Sequence, residues 1–229
     1  MNTKPALILF DVNETMMDMK PLKQKINVLL GNRGFRIWFN MLLHYSLVGN
    51  CIGQYNDFSS LGDAAFDMAA KALKTTVNQK EKRSALATIK ELSAYPDVEK
   101  GLLLLKRNGF KLATLTNSPK STLLAQLNFS NLTRNFDATL SVDTIKKYKP
   151  APETYQWAAA QLSVTVNDTM LIAAHGWDIA GALQAGLQAG FIERKGQSLF
   201  PLASKPQFAG KDLVELANNI ITHYKGVTD

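Results

Sequence analysis

Leu7-Ile8-Leu9-Phe10-Asp11-Val12-Asn13-Glu14-Thr15 is the stretch that decides the fold. Four apolar residues stand before an abrupt polar run headed by a carboxylate. A short apolar run bounded by turn chemistry reads as a strand buried on both faces, as in a parallel sheet. In open α/β sheets chemistry collects just beyond the carboxyl ends of the strands, and Asp11 falls at that position. A carboxylate fixed there among loop N–H groups stays ionised and can attack an electrophile. An aspartate also closes strands and caps turns, so the stretch alone leaves both roles open.

Working outward, the pattern after Thr15 is helical for roughly eighty residues. Pro21 suits a first helical turn, and Leu22, Ile26, Leu29 and Leu30 recur at helical spacing. Gly31-Asn32-Arg33-Gly34 breaks that helix, and a second begins near Phe35. Asp57 marks a third start, and a fourth helix is expected over 78–92. No strand pattern interrupts this block, so it reads as an all-helical insertion. An alternating pattern follows, with strands expected at 112–115, 138–141, 170–173 and 191–193. Helices are expected at 97–108, 121–127, from Pro152, at 178–189 and at 211–224. Such alternation predicts an α/β fold with a Rossmann-like parallel sheet and right-handed crossovers. The expected division is a core of residues 1–15 and 95–229 with a helical cap of 16–94.

The 229 residues suffice for one sizeable domain plus an insertion, and 46% hydrophobic with 20% charged is ordinary globular composition. Cys51 is the one cysteine, which excludes an intrachain disulfide and suits a reducing cytoplasm. The N-terminal apolar run is too short for export or for spanning a bilayer, so the expectation is a cytoplasmic protein with no membrane partner. The net charge of +7 can draw in a small anion. The basic residues cluster only as Lys71/Lys74, Lys80/Lys82/Arg83 and Lys146/Lys147/Lys149, and most read as solvated surface. No arginine-rich arm or zinc-finger spacing points to nucleic acid.

The polar residues after successive strands should converge: Asp11 after the first, Thr116 and Asn117 after the second, Lys149 after the third, His175 and Asp178 after the fourth. This ordered set, Asp11/Thr15, Thr116-Asn117, Lys149-Pro150 and Asp178, resembles the haloacid dehalogenase superfamily over nearly the whole chain. The helical block with Trp38, Tyr45 and Gly53-Gln54-Tyr55-Asn56-Asp57-Phe58 is most similar to the L-2-haloacid dehalogenases. So are Tyr155 after Lys149-Pro150 and the run Trp177-Asp178 with Gly181-Ala182.

That resemblance implies Asp11 as the nucleophile that displaces halide and forms an ester, which water then hydrolyses. Thr15, Lys149 and Asp178 would serve the aspartate. Thr116, Asn117, Tyr155, Phe39 and Trp177 would bind substrate, with Tyr155 reaching Lys149 or the substrate carboxylate. The implied substrate is a small, short-chain L-2-haloacid, converted to the 2-hydroxyacid with no metal and no cofactor, and a homodimer is compatible with the family. Met17, Trp38, Met41 and Phe39 are candidates for an apolar lid. The alternative is a Mg²⁺-dependent phosphatase of the same superfamily acting on a small metabolite.

The departures are informative. Asn13 stands where the phosphatases place a second aspartate, which leaves few hard oxygen ligands for magnesium. Phe39 stands where haloacid dehalogenases place an arginine thought to guide halide. His175 and Ala173 stand where they place an asparagine and a serine. Histidine titrates near neutrality and suits a general base. The expectation is a Glu14–His175 dyad that activates water against the Asp11 ester, with Glu14 orienting the ring.

Overall fold

The computed structural model describes residues 3–225. Strand β1 (Leu7–Phe10) is buried at every position and lies inside a sheet with β2 (Lys111–Thr116), β3 (Ala138–Ser141), β4 (Thr169–Ala173), β5 (Gln188–Ile192) and β6 (Phe208–Gly210). The strand order is β3-β2-β1-β4-β5-β6, and every neighbouring pair is parallel. The chain runs outward from β1 through β2 to β3, then returns to β4 on the other side of β1. That reversal opens a crevice at the carboxyl ends of β1 and β4. Asp11 sits in it, its backbone N–H still paired with the Ile172 carbonyl at 3.0 Å.

Between β1 and β2 lie α1 (Lys20–Leu30), α2 (Gly34–Ile52), α3 (Phe58–Ala72), α4 (Gln79–Ala87), a 3₁₀ turn at Thr88–Glu91 and α5 (Val98–Arg107). Asp57 caps α3 by accepting from the N–H groups of Ser59 and Ser60, and Asn78 caps α4 through Lys80. The Trp38 indole on α2 donates to the Gly62 carbonyl on α3 at 2.8 Å. The chain leaves and re-enters at one place: the Asp18 N–H meets the Ser93 carbonyl at 2.9 Å, and the Tyr95 N–H meets the Met16 carbonyl at 2.9 Å. After β2 come α6 (Lys120–Phe129), α7 (Pro152–Gln161), α8 (Gly176–Gln184) and α9 (Leu213–Lys225). No helix among the described residues is long and apolar enough to cross a membrane.

Several expectations shift. Helix α8 stops at Gln184 rather than at 189, because Gly186 takes φ 91° and the N–H groups of Gly186 and Leu187 close back on Leu183 and Ala182. That early stop releases Gln188 into β5, which therefore precedes the expected 191–193. A buried glutamine in a strand gives no apolar signal; here its amide is satisfied by the carbonyls of Thr3 and Asn167 and by the Tyr224 hydroxyl. The sixth strand was not expected, since it is short and its Ala209 is exposed. The helix expected over 78–92 tightens into 3₁₀ geometry at Thr88. Lys82 and Lys149 are not solvated: Lys82 is buried between Asp63 and Asp67, at 2.9 and 2.8 Å.

Candidate active site

The loop after β1 turns tightly. Glu14 takes φ 60°, and the N–H groups of Met16 and Met17 both reach the Val12 carbonyl. This folds Thr15 back over Asp11, where its hydroxyl donates to Asp11 Oδ2 at 2.7 Å and accepts the Ala174 N–H at 2.9 Å. One threonine thus ties the loop after β1 to the loop after β4. The Arg194 guanidinium, paired with Asp97 at 2.9 Å, donates twice to the Thr15 carbonyl and fixes the same turn from behind.

Asp11 is buried and surrounded. Lys149 Nζ donates to Oδ1 at 2.8 Å, and His175 Nδ1 lies 3.1 Å from Oδ2. Lys149 also donates to Asp178 Oδ2 at 2.6 Å, so its ammonium bridges two carboxylates. His175 Nε2 lies 2.9 Å from Glu14 Oε2, which also accepts from Gln197 Nε2 at 3.0 Å. The His175 ring stacks on Trp177 with centroids 5.2 Å apart. Glu14, His175, Asp11, Lys149 and Asp178 therefore form one continuous chain of charged contacts.

Burial alone would raise the Asp11 pKa. The Lys149 charge, then the His175 hydrogen bond and charge, override it and hold the carboxyl well below the usual range. Burial pulls Lys149 down, but Asp11 and Asp178 outweigh it and keep the amine protonated. Burial, with the Asp11 charge, pushes Asp178 up against the pull of Lys149. Burial also disfavours charged His175, yet its hydrogen bonds to Asp11 and Glu14 raise its pKa to about 9. Both ring nitrogens then carry protons, one for each carboxylate.

A stability effect follows. A histidine whose folded pKa is raised stabilises the fold fully below its unfolded value of 6.5, and that stabilisation is lost as pH rises through about 9. The loss is of order 3 kcal/mol. Urea unfolding on either side of that window should show the wild type losing stability that a His175→Gln variant does not lose.

Lys149 is placed by Asn117, whose Oδ1 accepts the Lys149 N–H at 3.0 Å and whose Nδ2 lies 3.5 Å from the Lys149 carbonyl. Asn117 thus spends its amide tying two loops together, although it still borders the cavity at Asp11. Thr116 accepts the Ser118 N–H, which leaves its own O–H to donate. Tyr155 departs from expectation. It reaches neither Lys149 nor the substrate space, but is fully buried and donates to Asp178 Oδ1 at 2.5 Å. It orients the carboxylate behind Lys149.

Gly181 lets α8 press onto this loop. A Cβ there would lie 2.5 Å from Pro150 Cβ and 2.7 Å from the Tyr155 hydroxyl. Gly181→Ala is expected to cost about 2 kcal/mol, read by urea unfolding, because the backbone must shift to relieve that contact.

A cavity of about 20 Å³ lies at Asp11, bordered by Asn13, Phe39, Leu43, Phe58, Thr116, Asn117, Lys149, His175 and Trp177. A second of about 440 Å³ opens beside it, with Asn13, Phe39 and Phe58 bordering both. Phe39 stacks on Phe35 at 5.6 Å. The expected lid is partly revised: Met17 is packed into the core, Met41 borders neither cavity, and Leu42 and Leu43 take their place. Gln197 and Arg194 were not anticipated. They lie in the segment after β5, and only their tertiary contacts reveal them.

A magnesium ion, as the phosphatase alternative requires, does not fit these residues. The Lys149 ammonium already bridges the two carboxylates that would ligate it. Asn13 offers an amide already engaged with Gln126 and Ser118. Among the described residues no group of three or more His, Cys, Asp or Glu could hold a metal ion.

The family profile for haloacid dehalogenase-like hydrolases matches residues 5–186. The chain belongs to that family. It is 36% identical to (S)-2-haloacid dehalogenase 4A of Burkholderia cepacia over 160 residues, 70% of this chain and 69% of the relative. It is 33% identical to (S)-2-haloacid dehalogenase 1 of Pseudomonas sp. strain CBS-3 over 189 residues, 81% and 83% of the two chains. A solved dehalogenase with an intermediate complex superposes at a TM-score of 0.88 with 29% identity, covering 96% of this chain and 98% of that one.

Proposed function

We propose that this chain hydrolyses L-2-haloacids to 2-hydroxyacids of inverted configuration, through an ester on Asp11. The observation that carries the reading is the surround of Asp11: an ionised carboxylate held by Lys149 on one oxygen and faced by the His175–Glu14 pair on the other. An Asp11 oxygen attacks the α-carbon from the face opposite halogen, the C–O bond forms, and halide leaves with the C–X electron pair. The α-carbon inverts.

Alkylation turns Asp11 into a neutral ester. The charge that holds His175 protonated disappears, and the ring releases a proton to solvent. Neutral His175, oriented by Glu14, then takes a proton from water as the oxygen adds to the Asp11 carboxyl carbon. The tetrahedral intermediate expels the product alkoxide, which takes that proton from His175. The regenerated Asp11 carboxyl returns its own proton to His175, restoring the resting pair. Net, one water is consumed and one halide and one proton are released.

In this reading residues 16–94 form the cap, and the enzyme works in the cytoplasm without metal or cofactor. The test is bromide release from L- and D-2-bromopropanoate with EDTA present, beside phosphate release from simple phosphomonoesters with Mg²⁺. Bromide from the L-form alone, unaffected by EDTA, is the expected result. Phosphate release that requires Mg²⁺, without bromide release, overturns the reading.

A further inference from the structure

We infer that the large cleft beside Asp11 receives the α-substituent of the haloacid, so that the preferred substrates carry a long alkyl or an aryl chain. The inference rests on the dehalogenase reading and deepens it.

The cavity at Asp11 is about 20 Å³, room for about one water molecule. It leaves no room for a substrate side chain beside the reacting carbon. The adjoining cleft, about 440 Å³, falls in the range of small-molecule sites. Asn13, Phe39 and Phe58 line both spaces, so the cleft is the volume next to a group attached to a carbon at Asp11. Its walls are apolar, from Met19, Trp38, Leu42 and Ile89 together with the two shared phenylalanines. Phenylalanine at position 39 matters here, because an arginine there would set a charge into that wall.

The rim carries Arg83 and Lys90, both exposed. The rim acids are already engaged: Asp63 pairs with Lys82, and Asp57 caps α3. The surplus positive charge favours entry of a carboxylate ahead of its apolar chain.

The experiment compares kcat/KM for (S)-2-bromopropanoate, (S)-2-bromohexanoate and (S)-2-bromo-3-phenylpropanoate. Each methylene placed in an apolar pocket is worth about tenfold or more, so the two larger substrates should exceed bromopropanoate by at least about that factor. Ala87→Phe on α4 and Ser121→Phe on α6 then fill the cleft from exposed wall positions outside the catalytic group. Each variant, checked for native thermal melting, should erase the gain for the larger substrates and leave bromopropanoate within about twofold. Wild type that favours bromopropanoate, or folded variants that treat all three substrates as wild type does, overturns the cleft assignment and leaves the dehalogenase reading standing. Bromide release from none of the three overturns both.

Discussion

Asp11→Asn should lower halide release by about 10⁵-fold. The carboxamide keeps the size of the carboxylate but has a neutral, weakly nucleophilic oxygen, and among the described residues no other carboxylate borders the cavity at Asp11. Asp178, which shares Lys149 with Asp11, is fully buried and its oxygens are taken by Lys149 and Tyr155. The variant also carries an electrostatic signature. With the Asp11 charge gone, His175 should titrate well below its resting value of about 9, read by NMR of the imidazole protons. A single turnover of wild type in H₂¹⁸O, with enzyme in excess, separates covalent from direct attack. The label should enter the Asp11 side chain and be absent from the first product formed, because water attacks the carboxyl carbon and the ester oxygen on the product derives from the aspartate. Label in that first product instead, with an unlabelled Asp11 peptide, overturns the covalent route.

The parts of this site legible in the sequence are those where local chemistry and topology agree. Leu7–Phe10 followed by Asp11 signals a buried strand ending in a carboxylate, and β1 is buried at all positions. Asp57 and Asn78 signal helix starts by side chains that can accept backbone N–H groups, and both do so. The pairing of Glu14 with His175, 161 positions apart, was legible because both fall on loops at the same edge of a parallel sheet. What escaped depends on tertiary choices that no local pattern records. Tyr155 on α7 points at Asp178 because α8 presses against the Pro150 loop through Gly181. Arg194 guards the Thr15 carbonyl only because the chain leaving β5 passes behind the β1 loop. Gly186 falls inside the helix expected over 178–189, yet its left-handed φ of 91° ends that helix and frees β5.

His175→Gln should separate the two halves of the reaction. Ester formation needs the Asp11 carboxylate and an ammonium at Lys149, both of which remain. Hydrolysis needs a base beside the ester, and glutamine cannot serve as one. The expected result is a rapid burst of about one halide per enzyme followed by turnover slowed about 10³-fold. During the slow phase intact-mass measurement should find the protein heavier by the carboxyalkyl group. Glu14→Gln should show a milder form, about 10²-fold, because the ring stays against Trp177 but loses the carboxylate that orients it and stabilises its charge. The pH dependence gives an independent check. Resting His175 is protonated up to about 9 because Asp11 and Glu14 both hold it. A base that stayed protonated could not act at neutral pH, so its pKa must fall when Asp11 becomes an uncharged ester. Ester hydrolysis in wild type should therefore rise with pH along a limb centred well below 9, and that limb should vanish in His175→Gln. Full turnover in His175→Gln with no accumulated ester overturns the dyad, and a wild-type limb centred at the resting value overturns the coupling between esterification and the imidazole proton.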